Sequence, residues 1–370
     1  MDRDWRNILL RHYRPEPMVR VPEHDVRRSS FPVVDAHNHL GRRPDTSSGY
    51  ERTSENRWAI DDVGRLVALM EECNVETIVN LDGYWGSTLE ANLDRYDRSY
   101  PGRFVTFCRL DWRACSQPGW PDRLAKSLRD SASRGASGLK VWKNLGLWVR
   151  DENGKLVLPD DDRIAPVWDV AREADLPVLI HVADPPAFFE PLTEHNERLE
   201  ELLVRPEWHF ADPGFPRFAK LLDAFERLVA MNPKVTFIGA HVGGNAEHLT
   251  WVARLLNAYP NFYVDVAARL ADLGRQPRAT RRLVLDHPRR VLFGTDASPP
   301  TRDAYARHFR FFETDDECFS STGSDSPGSV RWTISGIDLP AEVLADVYRG
   351  NARRIIPDKT WFEIRLPTQS

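Results

Sequence analysis

The sequence predicts an α/β fold, a (β/α)8 barrel of the TIM type with two insertions. Eight short runs of valine, isoleucine, leucine and phenylalanine recur along the 370 residues, and amphipathic helical patterns separate them. Near-continuous apolar runs are typical of parallel strands buried on both faces, and their alternation with helices favours a barrel. A doubly wound open sheet is the alternative, but no glycine-rich phosphate loop follows the first strand. We expect the strands near residues 33–34, 76–81, 104–107, 138–142, 178–180, 235–238, 262–266 and 291–293.

The predicted barrel domain spans residues 31–357, with an N-terminal extension over 1–30 and a C-terminal tail over 358–370. Residues 184–216, after the fifth strand, are rich in proline and aromatic residues. This composition favours a lid or pocket wall, although an ordinary packed surface loop is the alternative. Residues 313–331, after the eighth strand, are acidic and then rich in serine and glycine, which predicts a polar surface insertion.

Composition and charge limit the classes of binding partner that we expect. The chain has 28% charged residues and a formal net charge of −5, so nothing favours nucleic acid as a partner. No apolar run has the length of a membrane span, and no membrane partner is expected. The N-terminus lacks the apolar core of a secretory signal, which makes the cytoplasm the expected location. A small molecule is the expected partner.

Polar residues at strand ends predict a metal site. His37 and His39 follow the first strand with i, i+2 spacing, which points both rings to the same side of an extended strand. His181 ends the fifth strand, His241 the sixth, and Asp296 follows the eighth. Functional residues of such barrels gather where strands end. A lone strand-end histidine is more often structural, but four of them with an aspartate predict a site for zinc, manganese or iron.

The ordered motifs resemble those of the amidohydrolase superfamily, and in particular its amidohydrolase-related branch of decarboxylases, hydratases and lactone hydrolases. The resemblance covers about residues 31–357. It implies that His37, His39, His181 and Asp296 bind one metal ion, with zinc preferred over manganese or iron. It also implies that His241 is the catalytic residue near the open coordination position. The matching motifs are Asp35-Ala36-His37-Asn38-His39, His181, Gly239-Ala240-His241-Val242-Gly243-Gly244, Gly294-Thr295-Asp296 and Gly350-Asn351-Ala352-Arg353-Arg354.

Lys140, in the fourth strand, has three interpretations. In binuclear members of the superfamily a lysine of this strand is carboxylated and bridges two metals, and the chain would then bind two. Carboxylation needs the neutral amine, which burial favours. Alternatively, the ammonium group pairs with a substrate anion, or the lysine is structural. The sequence leaves all three open.

Several residues are candidates for substrate binding. Arg109 and Arg269, just after the third and seventh strands, are suited to fork onto a substrate carboxylate, but structural salt bridges are an equal alternative. Lys143 is a weaker candidate for anion binding. Asp82, after the second strand, is expected to orient a ligand histidine. The candidates for an aromatic pocket, which core packing explains as well, are Trp85, Trp142, Trp148 and Phe188.

The leading functional hypothesis is a metal-dependent hydrolase. Metal-activated water would attack an amide, ester or lactone of a small organic acid, His241 would stabilise the oxyanion and Asp296 would handle the proton. The alternative is a non-oxidative decarboxylase or hydratase of an aromatic or unsaturated carboxylic acid, which the cationic and aromatic candidates fit equally well. A third hypothesis is a ligand-binding barrel without catalysis, against which the full ligand set argues. The substrate is expected to be anionic, and the resemblance implies a homodimer as an expectation.

Overall fold

The structure, a computed structural model, describes residues 5–9, 12–13, 15, 18–41, 58–322 and 330–357. Residues 323–329 of the predicted polar insertion, the tail 358–370 and part of the predicted N-terminal extension lie outside the described residues. Each predicted apolar run overlaps a strand, so the strand prediction is confirmed. The strands are β1 (Val33–Asn38), β2 (Val75–Asn80), β3 (Phe104–Thr106), β4 (Leu139–Val141), β5 (Val178–Ile180), β6 (Phe237–Gly239), β7 (Phe262–Asp265) and β8 (Val291–Leu292).

Helices separate the strands and cover the outside of the sheet. No helix of the described ranges is long and apolar enough to cross a membrane. The segment after β5 is not structureless, because it contains one short α-helix and two 3-10 turns. The helical segments are α1 (Val63–Cys73), α2 (Gly86–Leu93), α3 (Trp120–Arg134), α4 (Asn144–Leu147), α5 (Ala165–Glu173), α6 (Leu199–Val204), α7 (Phe218–Met231), α8 (Ala240–Gly243), α9 (Leu249–Ala258), α10 (Leu270–Gly274), α11 (Pro277–Asp286), α12 (Arg302–Glu313), α13 (Ala341–Ala345) and α14 (Asn351–Ile355). Two of the helical segments, α4 and α8, are single turns with non-helical backbone inside them.

All paired strands are parallel, in the orders β1-β2-β3 and β4-β5-β6-β7-β8. A parallel bridge between Cys108 and Leu139 joins the two sheets at one seam. At the other seam, the Ala36 amide donates to the Phe293 carbonyl at 3.0 Å, and the Asp296 amide donates to the His37 carbonyl at 2.8 Å. The eight strands therefore follow one another around a ring, as the sequence predicts.

Side chains alternate between the two sides of this ring. Leu139 and Val141 of β4 belong to the large core between strands and helices. Leu179 and Ile238 belong to a smaller apolar cluster inside the barrel. The strand period of two places Lys140, which is 1% exposed, on the interior side with this second cluster. The interior thus carries a lysine among apolar residues, close to the ends of the strands.

The backbone is strained where the strands end. Residues with side chains adopt the left-handed region after five strands, at Tyr84 (φ 58°), Ala183 (61°), His241 (57°), Ala268 (53°) and Asp296 (56°). Such conformations cost of order 1–3 kcal/mol each and gather at functional sites. Strain at the carboxyl ends of the strands agrees with the predicted location of the site.

Gly244 permits the sharp turn after β6. Its φ is +74°, and a Cβ there would lie 2.2 Å from the carbonyl oxygen of Val182. We expect Gly244→Ala to lower the free energy of unfolding by about 3 kcal/mol, measured by urea denaturation, because both strain and a backbone clash result. Gly154→Ala is the matched control, since Gly154 has φ +76° with nothing within 4 Å, and should cost about 1 kcal/mol. Equal losses in the two variants would contradict the role of the clash.

Candidate metal centre

Three histidines converge on Asp296 at the carboxyl ends of the strands. The Nε2 atom of His39 lies 3.5 Å from Asp296 Oδ1, and that of His37 lies 3.9 Å from the same oxygen. The Nε2 atom of His241, in the turn after β6, lies 3.9 Å from Asp296 Oδ2. The structure therefore brings together four of the five predicted strand-end residues. Potential ligand atoms of His37, His39 and Asp296 all lie within 4.8 Å of one another.

The other ring nitrogen of each of these histidines, Nδ1, lies within hydrogen-bond distance of an oxygen atom. Carbonyl and carboxylate oxygens accept hydrogen bonds, so each Nδ1 atom carries the hydrogen and each Nε2 atom keeps its lone pair. This is the arrangement that orients metal-binding histidines in proteins. The three Nδ1 contacts are His37 to Asp265 Oδ2 at 2.9 Å, His39 to Asp82 Oδ1 at 2.8 Å and His241 to the Ala267 carbonyl at 2.8 Å.

This donor set fits a divalent cation. Burial, with a smaller contribution from the charge of Lys140, lowers the pKa of His37 well below 6.5, and burial also lowers the pKa of His241 well below 6.5. Both rings are therefore neutral, and their lone pairs face the carboxylate of Asp296 with no hydrogen between them. Imidazole and carboxylate ligands suit zinc, manganese or iron. His37, His39 and Asp296 would hold the ion, with His241 beside it.

His181 is close to these residues but differently oriented. Its ring lies 4.3 Å from the ring of His241, while its Nε2 atom lies 3.4 Å from Asp184 Oδ1. That buried nitrogen has no hydrogen-bond partner among the described residues. Asp184 in turn forms an ion pair with Lys143. Metal binding by His181 stays a prediction, and an unpartnered ring nitrogen is compatible with it.

Lys140 lies inside the same centre. Its Nζ atom is 3.4 Å from Nε2 of His37, the atom that would bind the metal. Burial lowers the pKa of Lys140 to about 8, against the opposing charges of Asp265 and Asp296. The position is compatible with carboxylation and with binding of a substrate anion, and the three interpretations of this lysine stay open.

The two candidate substrate arginines differ in their surroundings. Arg109 forms an ion pair with Asp82, the residue that holds His39, and its Nε donates to the Leu81 carbonyl at 2.8 Å. Arg269 is 8% exposed, and its guanidinium donates to the Ala268 carbonyl at 2.9 Å. No described carboxylate lies within ion-pair distance of Arg269. It is therefore the better placed of the two for a substrate carboxylate, and substrate contact stays a prediction for both.

The candidate aromatic residues lie in the walls around the strand ends. Trp85 is half-buried beside Tyr84, and Trp142 stacks on Trp148 with ring centroids 5.9 Å apart. Phe188 is buried in the segment after β5, where it stacks on Trp208 at 6.0 Å. Packing accounts for these contacts, and substrate binding by Trp85, Trp142 and Phe188 stays a prediction.

Sequence reasoning missed two carboxylates. Asp265 ends β7 and is fully buried, and it accepts hydrogen bonds from the His37 ring and from the His241 amide at 2.9 Å. Burial raises its pKa to about 6. A charged residue at the end of the apolar run 262–266 was the available signal. Asp184 lies three residues after His181, a spacing that gives no comparable signal. Asp82 lies where the sequence predicts it, against the ring of His39.

A family model described as "Amidohydrolase" matches residues 34–357. No curated protein matches the chain. Similar solved structures include a 2,6-dihydroxybenzoate decarboxylase from Rhizobium, at 16% identity and TM-score 0.54, covering 88% of this chain and 98% of that one. A dihydroxybenzoic acid decarboxylase from a Polaromonas species, with bound manganese and the inhibitor 2-nitroresorcinol, has 15% identity and TM-score 0.53, covering 88% and 97%. A 4-oxalomesaconate hydratase from Rhodopseudomonas palustris has 14% identity and TM-score 0.50, covering 88% and 96%.

The role of Asp265 is testable through metal affinity. In Asp265→Asn, the amide oxygen can keep the bonds from the backbone amides, but the NH2 group then faces Nδ1 of His37. This favours the tautomer with hydrogen on Nε2, which removes the lone pair from the metal site. We expect zinc affinity, measured by isothermal titration calorimetry, to fall about 10- to 100-fold.

The matched control is Asp316→Asn. Asp316 is also buried, but it accepts hydrogen bonds from the His24 amide at 2.8 Å and from Arg310 Nε at 2.7 Å, neither of which is a candidate ligand. It should lower stability and leave zinc affinity unchanged. An unchanged affinity in Asp265→Asn would show that this carboxylate does not orient a ligand.

Proposed function

Because the chain belongs to the amidohydrolase family, we propose that it is a metal-dependent hydrolase of a C–N or C–O bond in a small organic acid. The observation that carries the proposal is the convergence of three histidine Nε2 atoms on the carboxylate of Asp296. His37, His39, His181 and Asp296 would hold one divalent ion, with zinc the first choice. Such an ion, when bound, acidifies water and polarises a carbonyl oxygen.

Two residues beside the ion would accept the proton released by the attacking water. Asp296 has a second carboxylate oxygen, and His241 has an Nε2 lone pair on the same side of the centre. Both groups accept a proton from water at the pH where His241 is neutral. Asp265 and the Ala267 carbonyl would keep the rings of His37 and His241 in place while the proton moves. Burial raises the pKa of Asp296 above its usual range, whereas a bound divalent ion would favour the ionised form that accepts a proton.

Buried cations support an anionic substrate. Arg269 and Lys140 are both buried near the centre, and their charges add to the effect of burial in lowering the pKa of His241 and of His37. A cation that has no carboxylate partner in the described chain is suited to bind one from the substrate. Arg269 would hold the substrate carboxylate, with Trp142 and Phe188 in the surrounding wall. The similar structures agree, since their names refer to dihydroxybenzoates and to 2-nitroresorcinol.

Non-oxidative decarboxylation of a small aromatic acid is the second candidate. The Nζ atom of Lys140 is a proton donor within 3.4 Å of Nε2 of His37, and decarboxylation requires delivery of a proton to carbon. Two of the similar structures are decarboxylases of dihydroxybenzoates, which supports the same chemistry.

Isotope incorporation separates the two candidates. The zinc-loaded protein is tested with aryl lactones and N-acyl amino acids as hydrolysis substrates, and with 2,6-dihydroxybenzoate as the decarboxylation substrate. Hydrolysis should place heavy oxygen from labelled water in the product acid. Asp296→Asn should lower kcat by at least about 100-fold, because it removes both a ligand and a proton acceptor. Asp303→Asn, an exposed acid at the start of α12, is the control and should retain full activity. Release of carbon dioxide without incorporation of labelled oxygen would overturn the hydrolase proposal in favour of the second candidate.

Metal stoichiometry and mass decide the state of Lys140. We expect one metal ion per chain and an unmodified lysine, measured by elemental analysis and by intact mass spectrometry under native conditions. Lys140→Met should retain one metal ion, since the three imidazoles and Asp296 do not depend on it. Two ions per chain, with the added mass of one carbon dioxide that is lost in Lys140→Met, would replace this mononuclear proposal with a binuclear one.

A further inference from the structure

A second buried group of charged side chains lies next to Arg269. Arg198, which directly precedes α6, donates from Nη2 to Asp272 Oδ1 at 2.6 Å. The two side chains are 8% and 1% exposed respectively. Asp272 lies in the first turn of α10, and its amide donates to the carbonyl of Arg269 at 3.1 Å. One ion pair thus connects the segment after β5 with α10, the helix that directly follows Arg269.

Arg198 also donates from Nη1 to Glu201 Oε2 at 3.1 Å, but its buried Nε atom and several carboxylate oxygens of this group lack hydrogen-bond partners in the described chain. Asp272 Oδ2 and both carboxylate oxygens of Glu247 are buried and have no hydrogen-bond partner in the described chain. Burial and then the charge of Asp272 raise the pKa of Glu247 to about 7, against the opposing charge of Arg269. The side-chain amide of Gln276 connects the loop that carries Glu247 with α10, because it donates to the carbonyls of Ala246 and Asp272.

The charge of Arg269 acts on two sets of carboxylates. On one side its charge lowers the pKa of Asp296 in the candidate metal centre, although burial raises that pKa overall. On the other side its charge opposes the raised pKa values of Glu247 and Glu201. The guanidinium of Arg269 donates to the Ala268 carbonyl at 2.9 Å and has no ion pair among the described residues, so a change of charge on either side is expected to shift it.

We propose that Arg198 is a positioning residue that neutralises Asp272 and thereby keeps Arg269 available to the substrate carboxylate. Without the charge of Arg198, the unpaired Asp272 and Glu247 would attract the guanidinium of Arg269 away from the metal centre. Arg198 would then determine specificity for acids without touching the substrate. This inference rests on the proposed role of Arg269 as the group that binds the substrate carboxylate.

Benzoate binding to the zinc-loaded protein tests the inference, with benzamide as the uncharged probe. We expect Arg198→Gln to weaken benzoate binding by about tenfold, measured by isothermal titration calorimetry, and to leave benzamide binding unchanged. Arg198→Lys, which keeps the charge, should stay within about twofold of the unmodified protein. Thermal unfolding of each variant verifies that it folds.

The double variant Arg198→Gln/Glu247→Gln separates positioning from simple structural damage. Removal of the competing carboxylate should restore most of the lost benzoate affinity, whereas a purely structural role of Arg198 would not be rescued by a second buried change. Absence of rescue, or equal losses for benzoate and benzamide, would overturn the inference.

The variant Arg269→Gln distinguishes failure of this inference from failure of the proposed function. If Arg269→Gln leaves benzoate binding unchanged, the assignment of Arg269 fails. If only Arg269→Gln weakens binding and Arg198→Gln does not, the inference alone fails.

Discussion

The carboxylate of Asp265 is the contact on which the candidate centre depends. One oxygen accepts from the His37 ring, and the other accepts from the backbone amides of His241 and Ala267. The ends of β1, β6 and β7 are thereby joined through one buried acid. Because a buried acceptor without donors is costly, the three donors and the acid stabilise one another, and the left-handed backbone at His241 is held in place. The contact with Asp265 also fixes the tautomer of His37, while the Ala267 carbonyl fixes that of His241.

The fold supplies this arrangement through the order of its strands. Parallel strands in a ring place residues that are far apart in sequence at one rim, so that β1 and the residues after β8 become neighbours. The hydrogen bond from the Asp296 amide to the His37 carbonyl is part of that seam. Barrel closure thus places the candidate ligands His37 and Asp296 next to each other through backbone contacts alone.

The sequence predicts what depends on local pattern and misses what depends on tertiary contact. The eight strands were predictable because each is a short apolar run, and His37, His39, His241 and Asp296 because they end such runs. Asp265 lies near the end of its own apolar run rather than after it, and so gives a weaker signal. The contact between Arg198 and Asp272 joins residues 74 positions apart, and nothing in either local sequence indicates the other.

Lys140 shows how closely charge is balanced at the centre. Its Nζ atom and a metal ion would compete for the same lone pair on His37. If Lys140 carries an ammonium group, its positive charge partly takes the place of a metal ion beside the His37 lone pair and the Asp296 carboxylate. A bound divalent ion would repel the ammonium, which favours either the neutral amine or movement of the side chain towards an anion. A substrate carboxylate is such an anion, and its negative charge would let metal and ammonium coexist. The buried lysine and the buried Arg269 therefore favour an acid as the substrate on electrostatic grounds that do not depend on which reaction follows.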